Sequence, residues 1–94
     1  GKITEINREA RRKIAEECEM RGLDSCELRF KGCMGRSFLA PAHRERREWY
    51  LGRPELLSDY NQWVVSCVSC HAILDDRSKT TKEESDRYFV NLRG

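Results

Sequence analysis

Apolar residues recur at helical spacing in the first part of the chain. Between positions 4 and 21, charged side chains separate residues that fall on every fourth position, namely Ile6, Ala10, Ile14 and Cys18. This period places them on one face of a helix, and Gly22 suits a left-handed C-cap at its end. The pattern predicts a helix over 4–21, with Thr4 as its N-cap and Cys18 as a small core residue.

The apolar period changes to two after this helix. Cys26, Leu28 and Phe30 alternate with charged residues, and Gly32 and Gly35 bracket a turn further along. Alternation of this kind is typical of strands, and paired glycines are typical of tight turns. The segment 26–39 is therefore predicted to form a β-hairpin or an irregular ribbon.

The second half of the chain predicts three more elements. A short helix ends near Ser58, and the apolar run at 63–65 leads into a helical pattern at 68–76. The last helix is predicted over 80–92, because this segment opens on two overlapping capping boxes, Thr80-x-x-Glu83 and Thr81-x-x-Glu84. No repeat or long linker divides the chain. We predict a single domain over 1–94, with its core at 26–76.

Composition limits how such a domain is stabilised. The 94 residues are 38% hydrophobic and 36% charged, which allows only a modest core, so a staple is expected. Five cysteines can supply it as disulfides or as metal thiolates. Their odd number, the Cys67-x2-Cys70 pair and the lack of a secretory signal favour metal and an intracellular protein. No stretch has the roughly 20 apolar residues of a membrane span, so we expect no membrane partner and a soluble protein.

Four of the cysteines have the arrangement of a zinc site. Cys26-x6-Cys33 and Cys67-x2-Cys70 together provide the four thiolates that tetrahedral zinc prefers. Such a site would fasten the segment at 26–39 to the start of the helix at 68–76. The alternative is that all four are reduced core cysteines.

Two histidines and a basic segment supply the other candidate chemistry. His71 and Asp75 lie one helical turn apart and can share a divalent ion, and a neutral His43 near such an ion can deprotonate water. His43 begins a segment whose arginines are candidates for binding phosphates without base discrimination, namely Arg44, Arg46, Arg47 and Arg53. The net charge of +2 does not itself indicate nucleic acid, and a solvated helix face remains the alternative for this segment.

Together these residues resemble the zinc-containing HNH endonucleases, particularly the small phage and prophage members. The stretches that carry the resemblance are Cys26–Arg29, Gly32–Cys33, Leu39–Arg47 and Cys67–His71. The resemblance implies an α+β fold, a small zinc-stapled ββα-metal domain flanked by N- and C-terminal helices. It also implies DNA as partner, a structural zinc on the four cysteines, and a cytoplasmic location in a bacterial or phage-infected host cell.

Residue roles follow from the same resemblance. His43 matches the general base, while His71 and Asp75 match ligands of a catalytic Mg²⁺ or other divalent cation. Asn61 is the candidate for the asparagine that orients the base, although Gln62 has the expected spacing. Many members carry an aspartate or histidine before the base, where this chain has Ala42.

These observations leave three functions open. The first is a metal-dependent DNA endonuclease, and the second is a zinc-stabilised nucleic-acid-binding module without catalysis. The third is a protein–protein adaptor that uses the aromatic residues Trp49, Tyr50 and Trp63 as anchors. The oligomeric state is not predicted.

Overall fold

A computed structural model describes residues 2–94 and has the α+β class predicted from the sequence. Three α-helices surround an antiparallel sheet of two strands, in the order α1 (Lys2–Arg21), β1 (Leu39–His43), β2 (Trp63–Cys67), α2 (Val68–Asp75) and α3 (Lys82–Arg93). Short 3₁₀ helices connect the two strands, at Arg47–Tyr50, Pro54–Ser58 and Tyr60–Gln62. Within the described residues, every helix is too short or too polar to cross a bilayer.

The first helix ends in a Schellman motif. The amide of Leu23 donates to the Cys18 carbonyl at 2.9 Å, and the amide of Gly22 donates to the Glu19 carbonyl. This geometry needs a left-handed residue after the helix, which Gly22 provides at φ +67°. At the other end, α1 is already formed at Lys2. Thr4 therefore lies inside the helix and is not the N-cap that the sequence predicted.

The strands pair across a long connection. Leu39 faces Cys67 and His43 faces Trp63, so β1, β2 and α2 follow one another as a ββα unit. The predicted hairpin at 26–39 does not form, and the segment before Leu39 is the irregular ribbon that was the other expectation. His43 is the last residue of the first strand.

The core lies on both faces of this small sheet. On one face Ala42 and Val64 pack against Leu74 and Phe89, which brings α2 and α3 onto the sheet. On the other face, Ile14 of α1 packs against β2 in a cluster with Trp63 and Val65, next to the half-buried Cys18. All five residues of β2 are buried. The apolar run at 63–65 is continuous because this strand is covered on both sides.

An ion pair joins the ribbon to the end of the chain. The Glu27 carboxylate accepts hydrogen bonds from the Arg93 guanidinium at 2.7 and 2.8 Å, and another from the Val65 amide at 2.7 Å. The Arg93 side chain is 2% exposed and that of Glu27 is 12% exposed. Arg93 also lies over the Tyr60 ring, 3.9 Å from its centroid. The pair therefore connects the ribbon, β2 and α3.

The last helix begins with the second of the two predicted capping boxes. Thr81 is the N-cap, and its hydroxyl accepts from the Glu84 amide while the Glu84 carboxylate accepts from the Thr81 amide. Thr80 is buried instead, and its hydroxyl donates to the Ile73 carbonyl at 2.8 Å. The helix therefore covers Lys82–Arg93, where the sequence predicted 80–92.

This cap can be tested by Thr81→Ala, which removes the acceptor for one free amide of the first turn. We expect the free energy of unfolding to fall by about 1 kcal/mol in urea titrations. Thr4→Ala is the matched control, because Thr4 is an exposed residue inside α1 and alanine is the better helix former there. Equal losses in the two variants would contradict the capping role of Thr81.

Candidate functional site

Four cysteines from separate parts of the chain meet beside the sheet. Cys26 and Cys33 lie on the ribbon, Cys67 ends β2 and Cys70 lies in the first turn of α2. Their Sγ atoms all lie within 4.8 Å of one another. Cys26, Cys67 and Cys70 are buried and Cys33 is half-buried. The cluster therefore joins the ribbon to the sheet and to α2.

Backbone amides point at these sulfur atoms. Met34 and Cys70 donate from their amides to the Cys67 Sγ at 3.3 and 3.4 Å, and the Gly35 amide donates to the Cys33 Sγ at 3.4 Å. Gly35 adopts φ +66°, a conformation in which a residue with a side chain is strained. Hydrogen bonds of this kind stabilise a thiolate over a thiol. The loop geometry thus favours negative charge on sulfur.

The thiols of the cluster differ in acidity. Burial opposes ionisation of Cys67, but the amides of Met34 and Cys70 and the neighbouring thiols lower its pKa to about 6. Burial similarly opposes ionisation of Cys26, and backbone donors nevertheless lower the pKa of this residue. For Cys70, burial and the neighbouring thiols raise the pKa to about 12. One buried cluster does not hold four thiolates unless a cation compensates their charge.

The donor set suits a metal ion such as zinc. Tetrahedral zinc with Zn–S bonds of about 2.3 Å requires sulfur atoms about 3.8 Å apart, which the cluster can reach with small side-chain shifts. All five cysteines are free thiols, and the fifth, Cys18, is not part of the group. Among residues 2–94, no other group of three or more His, Cys, Asp or Glu side chains converges in this way.

The two histidines line one cleft, and none of the four clustered cysteines lines it. The cleft has a volume of about 720 Å³, and its lining includes His43 at the end of β1 and His71 and Asp75 on α2. His43 Nε2 is 2.8 Å from the Leu57 carbonyl oxygen. The Tyr50 ring packs edge-on against the imidazole, with 5.4 Å between the ring centroids. The imidazole is therefore held in one orientation at the cleft.

The environment of His43 favours its neutral form. Burial lowers the pKa of this imidazole, and the charges of Arg47 and His71 lower it further, while the hydrogen bond to Leu57 opposes the shift. A carbonyl oxygen only accepts, so a neutral His43 must carry its proton on Nε2. The lone pair on Nδ1 is then available as a base.

His71 and Asp75 offer two ligand atoms for a cation. His71 Nε2 and Asp75 Oδ2 are 3.0 Å apart across one turn of α2, and both side chains are accessible to solvent. The strand residue before His43 contributes no third ligand, because Ala42 has no donor atom in its side chain and is completely buried against Val64 and Leu74. The cleft thus offers a cation two protein ligands, one histidine and one carboxylate, and leaves the other coordination positions to solvent or substrate.

Asn61 does not join the other predicted residues. It is exposed on the 3₁₀ turn before β2, where its backbone amide donates to the Asp59 carboxylate. It is not among the residues that line the cleft. Gln62 accepts a hydrogen bond from the Tyr50 hydroxyl. The acceptor next to His43 is instead the backbone carbonyl of Leu57. Every residue has a backbone carbonyl, so no residue type in the sequence could indicate this contact.

The predicted arginines divide into two groups. Arg44, Arg46 and Arg47 line the cleft. The Arg44 guanidinium forms a salt bridge with Asp86, with 3.4 Å between Nε and Oδ1. Arg46 and Arg47 are exposed. Arg53 lies outside the cleft lining, with its guanidinium over the Trp49 ring at 4.2 Å.

Two further arginines line the same cleft, and no sequence pattern indicated them. They are Arg11, which lies on α1, and Arg77, which follows α2. Both are distant in sequence from the basic segment that begins at His43. The only sequence signal for Arg11 was its place beside the apolar stripe of the first helix.

No family model, no curated protein and no solved structure matches this chain. The resemblance to HNH endonucleases rests on the residues quoted above. The structure itself shows two strands followed by a helix, and four clustered cysteines that could bind a metal ion.

Proposed function

We propose that this protein is a metal-dependent DNA endonuclease of the HNH type, in which the four cysteines hold a structural zinc. The observation that carries the proposal is the placement of His43, His71 and Asp75 around one cleft that is also lined by arginines. A base, a cation-binding pair and positive charge are the three components that phosphodiester hydrolysis needs. The base comes from β1, the cation-binding pair from α2, and the arginines from α1 and from the segments that follow β1 and α2.

In this proposal His43 is the general base. Its Nε2 donates to the Leu57 carbonyl, so Nδ1 takes the proton from the attacking water. The lowered pKa of His43 favours the neutral imidazole over the protonated one at physiological pH. The packing of Tyr50 against the ring restricts its rotation. The hydrogen bond and the aromatic contact together orient the base before substrate arrives.

His71 and Asp75 would hold the divalent ion. A cation such as Mg²⁺ commonly keeps several waters and binds one or two protein groups together with substrate phosphate oxygens, so two ligands suit it. When bound, it would stabilise negative charge on the phosphate and on the leaving oxygen. Arg46 and Arg47 would bind the flanking phosphates as exposed cations.

The burial of Ala42 favours a second candidate function. Many members of the family that the chain resembles carry an aspartate or histidine at this position, and in this chain Ala42 fills the core instead. A zinc-stabilised DNA-binding module would keep the arginines and would not need a cation at His71. The adaptor function loses two of its three predicted anchors, because Trp63 is fully buried and Tyr50 is only 2% exposed, whereas Trp49 is 37% exposed.

Cleavage assays separate the two candidates. The zinc-loaded protein would be incubated with supercoiled and linear DNA in the presence of Mg²⁺, Mn²⁺ or Ni²⁺. We expect metal-dependent nicking that falls at least about a hundredfold in His43→Ala, because general-base catalysis contributes that much. His71→Ala should lose activity as well, since it removes half of the cation-binding pair.

Asn61→Ala is the control, because this exposed side chain does not line the cleft. It should cleave like the unaltered protein. If no variant and no metal gives cleavage while DNA binding persists in all of them, the endonuclease proposal is wrong and the binding module is the better account. Loss of activity in Asn61→Ala alone would show that the asparagine, and not the Leu57 carbonyl, orients the base.

A further inference from the structure

Arg11 is an unpaired cation on the helix that forms one side of the cleft. Its neighbour Arg12 contacts both Glu9 and Glu16 on the exposed face of α1. Arg11 is exposed and, among residues 2–94, lies within salt-bridge distance of no carboxylate. The acidic residues of α1 therefore neutralise Arg12 and leave the charge of Arg11 directed to the cleft.

Arg77 is anchored by its own backbone surroundings. Its Nη1 donates to the carbonyls of Leu74 and Thr80, at 2.8 and 3.1 Å. The side chain is nevertheless exposed and lines the cleft, and the hydrogen bonds of the described chain engage only this one nitrogen. An anchored guanidinium loses less conformational freedom when it binds an anion. Its remaining N–H groups are free to bind phosphate oxygens.

The other charged groups around the cleft leave it basic. Five arginines and three carboxylates line it. Glu45 is bound to Lys82 at 2.9 Å, and Asp75 faces His71. Glu48 is the third carboxylate. A polyanion that entered the cleft would therefore meet an excess of guanidinium groups, which come from α1, from the segment after β1 and from the turn after α2.

We infer that Arg77 and Arg11 bind the phosphodiester backbone of DNA in this cleft, from elements outside the basic segment. The inference rests on the proposed function for the identity of the ligand, but it does not require catalysis. Arg77, with one nitrogen fixed on carbonyls, positions a phosphate close to His71 and Asp75. Arg11 binds a neighbouring phosphate from α1.

The test is the salt dependence of DNA binding. A fluorescent duplex of arbitrary sequence would be titrated with zinc-loaded protein, without added Mg²⁺, between about 50 and 200 mM salt. Each lost phosphate contact reduces the slope of log K against log salt by about 0.9. We expect this reduction, with a loss of affinity, in both Arg77→Gln and Arg11→Gln. Arg87→Gln is the control, since it removes the same charge from an exposed position on α3 that does not line the cleft.

The outcomes separate this inference from the proposed function. If Arg77→Gln only lowers the melting temperature and keeps the salt slope, Arg77 is a helix cap and the inference is wrong for it. Arg11 gives an independent result because its side chain makes no hydrogen bond within residues 2–94 that its loss would break. Slopes equal to that of Arg87→Gln in both variants, or no binding by the unaltered protein, would overturn the inference. Reduced slopes without any cleavage would support it and refute the endonuclease.

Discussion

Cys70→Ser is expected to abolish tight metal binding and to leave the protein largely unfolded. Cys70 is fully buried at the start of α2, and its sulfur belongs to the cluster that joins this helix to the ribbon and to β2. Structural zinc sites contribute about 10 kcal/mol or more to the folding of small domains. A domain with three α-helices and a two-stranded sheet has no core large enough to replace that contribution.

The measurement combines metal analysis with circular dichroism. The unaltered protein should retain about one equivalent of zinc through dialysis and should unfold when a strong chelator removes it. Cys18→Ser is the matched control, because this cysteine lies outside the cluster and packs beside Ile14 and Trp63. It should keep the metal and lose only packing energy. A folded, metal-free protein, or loss of metal in Cys18→Ser, would contradict the assigned ligand set.

Glu27→Gln is expected to lower the free energy of unfolding by about 3–5 kcal/mol. The substitution removes the negative charge that faces the buried guanidinium of Arg93 and weakens the acceptor for the Val65 amide. The cost arises because an uncompensated cation then remains in a site where its side chain is 2% exposed. Urea titrations of the zinc-loaded protein would measure the loss, provided that metal content is shown to be unchanged.

Arg36→Gln is the control for this ion pair. Arg36 and Asp24 form a salt bridge at 3.4 Å whose side chains are 77% and 66% exposed. Such exposed pairs contribute about 0–1 kcal/mol. If Glu27→Gln costs no more than Arg36→Gln, the pair with Arg93 does not hold the ribbon and α3 together, and the packing of Arg93 on Tyr60 would be the more important contact.

The metal-binding cluster and the helices could largely be predicted because their signals are local. A Cys-x2-Cys pair, a four-residue apolar period, a glycine after a helix and a capping box each lie within a few positions of one another. The structure places all four predicted cysteines in one group and ends α1 before Gly22. Prediction was less accurate over 26–39, because the alternating residues there pack around the sulfur atoms and the core and do not form a sheet.

The sequence alone therefore determined the four clustered cysteines and the positions of the helices, since spacing along the chain encodes these features, while the α+β class was implied by the resemblance. Tertiary structure decided the rest. The partner of β1, the Glu27–Arg93 pair, the Leu57 carbonyl beside His43 and the presence of Arg11 and Arg77 at the cleft all join residues far apart in sequence. Such contacts depend on how the elements pack, and no local pattern specifies them in a single chain.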